Sequence, residues 1–82
     1  MKPHPRVAWQ VIDGQAVLMD LDKGLALGLN RTGSFLWPRL EGRSEEDLVA
    51  DLSAAYAVEP DWARGDVRSF LDLLRRRGLL EG

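Results

Sequence analysis

The side chains that usually carry catalysis are almost missing from this chain. It has no cysteine, and its one histidine, His4, lies among prolines near the amino terminus. A serine or threonine nucleophile needs a base within hydrogen-bond reach, and a metal ion needs several His, Cys, Asp or Glu side chains at ligand spacing. Neither pattern is visible, and no glycine-rich loop precedes a helix to hold phosphate. The sequence therefore predicts no enzyme activity, no metal site and no cofactor.

The charge balance indicates which kinds of binding partner a non-catalytic protein of this sequence could have. Eleven Lys and Arg against 13 Asp and Glu give a formal net charge of −2 at pH 7. Proteins that hold nucleic acid by neutralising phosphates are usually basic, so nucleic acid is not the expected partner. No apolar run approaches the ~20 residues of a membrane span, and no signal-peptide core is present. We therefore expect a cytoplasmic protein that contacts another polypeptide and no membrane.

The first half of the chain is predicted to form the strands that would position a binding site. The 82 residues suffice for one small domain. Residues 1–6, with Pro3 and Pro5, have no periodicity and are predicted to form a flexible arm before a single domain over residues 7–82. Apolar alternation from Val7, a turn at Asp13-Gly14 and a second turn at residues 22–24 predict three strands, the last over residues 25–29. These strands form an antiparallel meander.

Helical periodicity replaces the strand pattern after the meander. Asn30 is a good N-cap, and the first helix is predicted to be short or kinked because Pro38 removes a backbone donor. Ser44 caps a second helix that ends near Tyr56, with three acidic residues in its first turn. A third helix follows, so the predicted fold class is α+β, a three-stranded meander followed by three helices.

The third helix is predicted from Pro60 to about Arg77 and is amphipathic. Its apolar side is formed by Trp62, Ala63, Val67, Phe70, Leu71, Leu73 and Leu74. Asp66 falls within this apolar arc. It either accepts hydrogen bonds from backbone donors around residues 30–32 or contacts a bound partner.

The third strand has one face of leucines and one nearly bare face, formed by Ala26 and Gly28. The last strand of a short meander can leave an unpaired edge, and such small side chains would not hinder an incoming strand. Alternatively, these residues are small because a helix packs on them. The residues by themselves leave both interpretations open.

Two segments resemble the PqqD-like family. They are Val17-Leu18-Met19-Asp20-Leu21-Asp22-Lys23-Gly24 and Leu29-Asn30-Arg31-Thr32-Gly33-Ser34-Phe35-Leu36-Trp37, and the later apolar positions follow in the family's order to about residue 80. The resemblance implies a winged helix-turn-helix, which agrees with the element order derived above. The chain departs from the family in having Leu25-Ala26-Leu27-Gly28 where aromatic residues are common.

Members of this family act as recognition elements for ribosomally made precursor peptides. The resemblance implies a non-catalytic adaptor that binds the leader segment of a precursor as an added strand on the third strand, in the groove against the third helix. The adaptor would present the leader to a separate leader peptidase, cyclase or radical enzyme. Stand-alone members serve lasso-peptide or pyrroloquinoline quinone biosynthesis, and the chain is more similar to the lasso type. The implied peptide-binding residues are Gly24, Leu25, Ala26, Leu27, Gly28 and Leu29 on the strand and Asp66, Val67, Arg68, Phe70, Leu71, Leu74 and Arg75 on the helix.

Two other functions are compatible with the pattern. Arg64, Arg68 and Arg75 share one side of the third helix, which is either a solvated face or the recognition face of a winged-helix DNA-binding regulator. The net charge opposes the regulator, and steep loss of affinity with salt would reveal it. The free strand edge could instead pair with a second copy, so the expected state is a monomer or a weak or swapped homodimer.

Overall fold

Three antiparallel strands are followed by three helices, so the predicted α+β fold is confirmed. The computed structural model describes residues 1–81. Its elements are β1 (Lys2–Pro3), β2 (Val7–Ile12), β3 (Gln15–Asp20), β4 (Leu25–Gly28), α1 (Arg31–Leu36), a 3-10 turn (Trp37–Arg39), α2 (Glu45–Tyr56), α3 (Pro60–Arg76) and β5 (Leu80–Glu81). None of the helices in residues 1–81 combines the length and apolar character needed to cross a membrane.

The main sheet has the order β2-β3-β4, with β3 in the middle. The turn between β2 and β3 uses positive φ angles of 52° at Asp13 and 81° at Gly14, which is the conformation that a tight hairpin requires. Alternate residues of β3, among them Leu18 and Asp20, are buried beneath the helices. The sheet therefore has a covered face and two edges, β2 on one side and β4 on the other.

The helix boundaries follow from local capping. Asn30 Oδ1 accepts the Gly33 N–H at 2.8 Å and starts α1, which gives way to the 3-10 turn at Trp37 as Pro38 predicts. Ser44 and Asp47 form a reciprocal capping box that starts α2.

The hydrophobic core lies between the helices and β3. Its largest fully buried side chains are Leu18, Leu36, Trp37, Leu40, Leu48, Leu52, Val67, Leu71 and Leu74. Because every helix contributes to it, the core fixes the rotation of α3 about its own axis and thereby the side that α3 turns toward the sheet.

The amino-terminal segment differs from the predicted flexible arm. Lys2 and Pro3 pair with β5, and the His4 N–H donates to the Leu79 carbonyl at 2.9 Å. Arg6 Nε donates to the Asp20 carboxylate at 3.2 Å, and its Nη2 donates to the carbonyl of Gly78. The pattern of residues 1–6 gave no sign of this because the partners at residues 78–81 lie more than 70 positions away in the sequence.

Candidate functional site

The outer edge of β4 exposes backbone groups that no strand of residues 1–81 pairs with. The Leu29 N–H donates to the Ala16 carbonyl at 2.9 Å. Because hydrogen-bonded and non-hydrogen-bonded pairs alternate in an antiparallel ladder, Leu27 also directs its backbone toward β3. The N–H and C=O groups of Ala26 and Gly28 therefore point away from the sheet. This edge is a template for an additional strand.

A cleft runs between this edge and α3, and it contains two cavities. The first, of about 170 Å³, lies at the start of β4 and is lined by Lys23, Leu25, Ala26, Leu27, Arg76 and Arg77. The second, of about 310 Å³, lies at the end of β4 and is lined by Gly28, Leu29, Asp66, Ser69, Phe70 and Leu73, with Asn30 and Thr32 at the start of α1. An added strand would lie on the edge with its side chains beside both cavities.

The side of α3 that faces the cleft is a narrow stripe. Asp66, Ser69, Leu73 and Arg76 follow one another at intervals of three or four residues, so they lie along one side of the helix. Sequence reasoning missed Ser69, Leu73 and Arg76. The available signal was the position of Asp66 within the apolar arc, because a carboxylate there marks where the arc leaves the core.

Asp66 makes none of the predicted contacts with residues 30–32. Its Oδ2 is buried and has no hydrogen-bond partner among residues 1–81. The start of α1 is instead capped by Asn30, whose Oδ1 accepts from the Gly33 N–H at 2.8 Å and from the Thr32 hydroxyl at 3.4 Å. The interpretation of Asp66 as a helix-capping carboxylate is therefore wrong, because the helix caps itself. Asp66 instead lines the second cavity.

The first cavity carries positive charge. Within residues 1–81, neither Lys23 nor Arg76 nor Arg77 takes part in an ion pair. The buried carboxylate nearby, Asp20, is held by Arg6. Burial raises the pKa of Asp20, but hydrogen bonds from the Lys23 backbone N–H and from Arg6 outweigh it and leave that pKa below its ordinary value.

Several helix residues predicted to contact a peptide lie in the core instead. Val67, Leu71 and Leu74 are 0% exposed and offer no surface in the cleft. The predicted apolar arc covered half of the helix, and the core takes the middle of that arc. Of the four apolar helix residues predicted to contact a peptide, only Phe70 lines a cavity of the cleft within residues 1–81. On the strand, Leu29 is also largely buried, at 3% exposure, whereas Leu25 is 58% exposed.

The basic side of α3 is turned toward α2. Arg64 Nη2 lies 3.0 Å from Glu46, and Arg68 Nη2 lies 3.1 Å from Glu45. The Arg64 hydrogen bond and charge lower the pKa of Glu46. The acidic first turn of α2 thus neutralises two of the three arginines that a DNA-binding regulator would need on this side.

Arg75 lies next to Asp72, at 3.9 Å, and lines neither of the two cavities of the cleft. The two cavities therefore bring together residues 25–29, Asp66 and Phe70. Gly24 was predicted on the strand but lies in the turn before β4 and lines neither cavity. Arg68 also lines neither, and Arg75 lines a further cavity with Ser69, Asp72 and Arg76.

Ala26 and Gly28 are both exposed, so no helix packs on them. A Cβ on Gly28 would lie 3.0 Å from Gln15 Nε2, which crosses this position to donate to the Leu29 carbonyl at 3.1 Å. The small size of Gly28 leaves room for that crossing side chain. The nearly bare face of β4 keeps the edge accessible.

Fold and cleft together define a small winged helix-turn-helix recognition domain with an open strand edge beside its third helix. The family model for coenzyme PQQ synthesis protein D (PqqD) matches residues 15–80. The chain belongs to the PqqD family, and the family predicted from its residues is confirmed.

Two solved structures resemble this one over nearly its whole length. The structure described as TbiB1 in complex with the TbiA(beta) leader peptide has a TM-score of 0.92 and 37% sequence identity, and the match covers 100% of this chain and 96% of that one. The structure described as lasso peptide synthetase B1 complexed with the leader peptide has a TM-score of 0.87 and 27% identity, covering 99% and 96%. No curated protein sequence matched the chain.

Proposed function

We propose that this protein is a non-catalytic adaptor that binds the leader segment of a ribosomally made precursor peptide as an added strand on β4. The observation that carries the proposal is the open edge of β4, where the backbone groups of Ala26 and Gly28 point away from the sheet beside the cleft against α3. Strand addition uses main-chain hydrogen bonds for affinity and side-chain cavities for selectivity.

The two solved relatives support this function. Each was obtained as a complex with a leader peptide, and each covers almost the whole of this chain. One of the two is described as a lasso peptide synthetase B1, which favours a lasso precursor as the source of the leader. The adaptor would present the leader to a separate maturation enzyme such as a leader peptidase or cyclase, in the cytoplasm.

The contacts in this proposal are those of the cleft. The docked strand would bond to the backbone of Ala26 and Gly28 and place alternate side chains against Phe70 and Leu73. Main-chain hydrogen bonds at about 0.5–1.5 kcal/mol each and one or two buried apolar anchors at about 1.5–3 kcal/mol reach the ~8 kcal/mol of micromolar affinity after ordering costs.

Fluorescence anisotropy tests the proposal. The labelled probes are the TbiA(beta) leader peptide, the leader of a precursor encoded beside this protein's gene, and a DNA duplex of random sequence, each at low and high salt. We expect saturable binding of a leader that changes little with salt, because strand addition neutralises few charges.

Two outcomes would contradict the proposal. Binding of the duplex alone, lost steeply with salt, would indicate a regulator. Failure of both leaders, together with a mass that rises with protein concentration, would indicate that a second copy occupies the edge.

A further inference from the structure

We infer that the cleft fixes the direction and register of the docked strand by charge, taking a hydrogen-bond donor side chain at Asp66 and a carboxylate at Arg76 and Arg77. The donor is a hydroxyl or a cation. This inference rests on the proposed function and specifies the chemistry of the peptide that the cleft accepts.

Within the described chain, the Asp66 end carries an unsatisfied carboxylate oxygen. Its Oδ2 is buried without a hydrogen-bond partner. The two nearest basic residues along α3 are engaged by α2: Arg64 by Glu46 at 3.0 Å and Arg68 by Glu45 at 3.1 Å. The Thr32 hydroxyl, in the same cavity, donates to Asn30. A buried carboxylate oxygen without a donor is unfavourable, so a donor carried by the peptide would gain a charge-assisted hydrogen bond there.

The other end of the cleft has the opposite charge. Arg76 and Arg77 line the first cavity together with Lys23. The carboxylates around them are taken: Asp20 is held by Arg6 at 3.2 Å, and Asp72 lies beside Arg75 at 3.9 Å. These three cations therefore favour a carboxylate on the docked strand.

The distance between the two ends sets the spacing in the peptide. Asp66 and Arg76 are ten positions apart on α3, which is about 15 Å along the helix axis. Four residues of an extended strand span about 14 Å, and residues four apart point to the same side. The donor and the carboxylate should therefore be separated by four positions.

The direction follows from the course of β4. Leu25 lies at the first cavity and Gly28 at the second. A strand added antiparallel to β4, the more stable pairing, passes Asp66 first and Arg76 last. The accepted order is therefore donor, three residues, carboxylate, read from the amino terminus.

Selection from a phage library of random twelve-residue peptides tests this order with no need to identify the leader first. The library is selected on the wild-type chain, on Asp66→Asn and on the double variant Arg76→Gln with Arg77→Gln. Asp61→Asn, an equivalent change on the exposed side of α3, is the matched control for Asp66→Asn. Arg31→Gln with Arg39→Gln removes one charge from α1 and one from the 3-10 turn, and is the control for the double variant.

We expect wild type and both controls to enrich peptides with a donor four positions before an acidic residue. Asp66→Asn should lose the donor preference and keep the acidic one, and the double variant should do the reverse. A resynthesised peptide should bind Asp66→Asn about tenfold or more weakly, and removing the donor from the peptide should then cost much less affinity than it does on wild type, because the amide oxygen accepts without charge assistance.

The outcomes separate this inference from the proposed function. Peptides enriched on wild type without this charge order, or with the opposite order, overturn the inference and leave strand addition intact. No enrichment on wild type overturns strand addition and the inference with it. If Asp66→Asn folds poorly, removing the donor side chain from the peptide and measuring its binding to wild type still tests the inference.

Discussion

Arg68 Nη2 on α3 lies 3.1 Å from Glu45 Oε2 in the first turn of α2. With the neighbouring pair of Arg64 and Glu46, this contact commits the basic side of α3 to helix packing. The charges left to the cleft are those at Lys23, Arg76, Arg77 and Asp66. A strand docked on β4 therefore meets a different set of charges from the one that the sequence pattern suggests.

This arrangement predicts a difference between two charge reversals on one helix. Arg76→Glu should weaken leader binding about tenfold at low salt, because it places a negative charge at the first cavity. Arg68→Glu should leave the affinity within about twofold, since Arg68 faces α2. Anisotropy titrations with the same labelled leader give both values. Equal losses in the two variants would show that the docked peptide crosses the α2 side of α3.

Ala26→Pro should abolish leader binding while the protein stays folded. Proline at this position removes the N–H that points away from the sheet. The hydrogen bonds between β3 and β4 are all kept, because this N–H does not take part in them. The change should lower leader affinity at least tenfold in an anisotropy titration.

Val11→Pro is the matched control on the opposite edge. Because the Leu21 N–H donates to the Arg6 carbonyl, the same alternation directs the Val11 N–H away from β3. Both proline variants should have similar urea midpoints, and Val11→Pro should bind the leader like wild type. Wild-type affinity in folded Ala26→Pro would exclude strand addition at β4.

Leu73 and Leu71 lie two positions apart on α3 but differ in role. Leu73 lines the second cavity, whereas Leu71 is fully buried in the core. Leu73→Ala should weaken leader binding about tenfold with a small change in stability. Leu71→Ala should lower the free energy of unfolding by about 2–5 kcal/mol. Urea unfolding and anisotropy on both variants test this separation, and loss of stability without loss of affinity in Leu73→Ala would contradict it.

Two glycine substitutions should change stability in opposite directions. Gly78 has a φ of +67°, and an added Cβ would lie 2.9 Å from Arg6 Nη2. Gly78→Ala should therefore cost about 1–2 kcal/mol. Gly65 is in the middle of α3 with open space around it, so Gly65→Ala should add about 0.5–1 kcal/mol through helix propensity. Thermal unfolding of the two variants gives the sign of each change in stability. An unchanged stability of Gly78→Ala would show that the Arg6 side chain moves away at no cost.

Acid should destabilise the protein partly through Asp20. Its pKa is lowered in the folded state, so its stabilising effect is complete above the ordinary carboxyl pKa, near pH 4, and is lost as the pH falls below that value. Urea midpoints between pH 7 and pH 3 should fall for wild type and fall less for Asp20→Asn. The residual decline belongs to other carboxyls with lowered pKa, such as Asp47 in its capping box. Equal declines in both proteins would contradict the assignment to Asp20.

Much of the fold could be predicted because its causes are local. The turn at Asp13-Gly14, the cap at Ser44 and the break at Pro38 each act within a few residues, and the structure places them where the pattern does. The amino-terminal strand could not be predicted in this way, since Lys2 pairs with Glu81.

The candidate site, like the fold, could be predicted from the sequence only in part. The sequence by itself determined the meander and the helices, because turns, caps and alternation are properties of neighbouring residues. Its motifs identified the family. Only the tertiary structure decided which side of α3 meets that edge. Core packing sets the rotation of the helix about its axis, and residues one or two positions apart on the helix then face different neighbours. Leu71 is buried in the core whereas Leu73 lines the cleft. In the same way, Arg68 faces α2 and Arg76 faces the cleft.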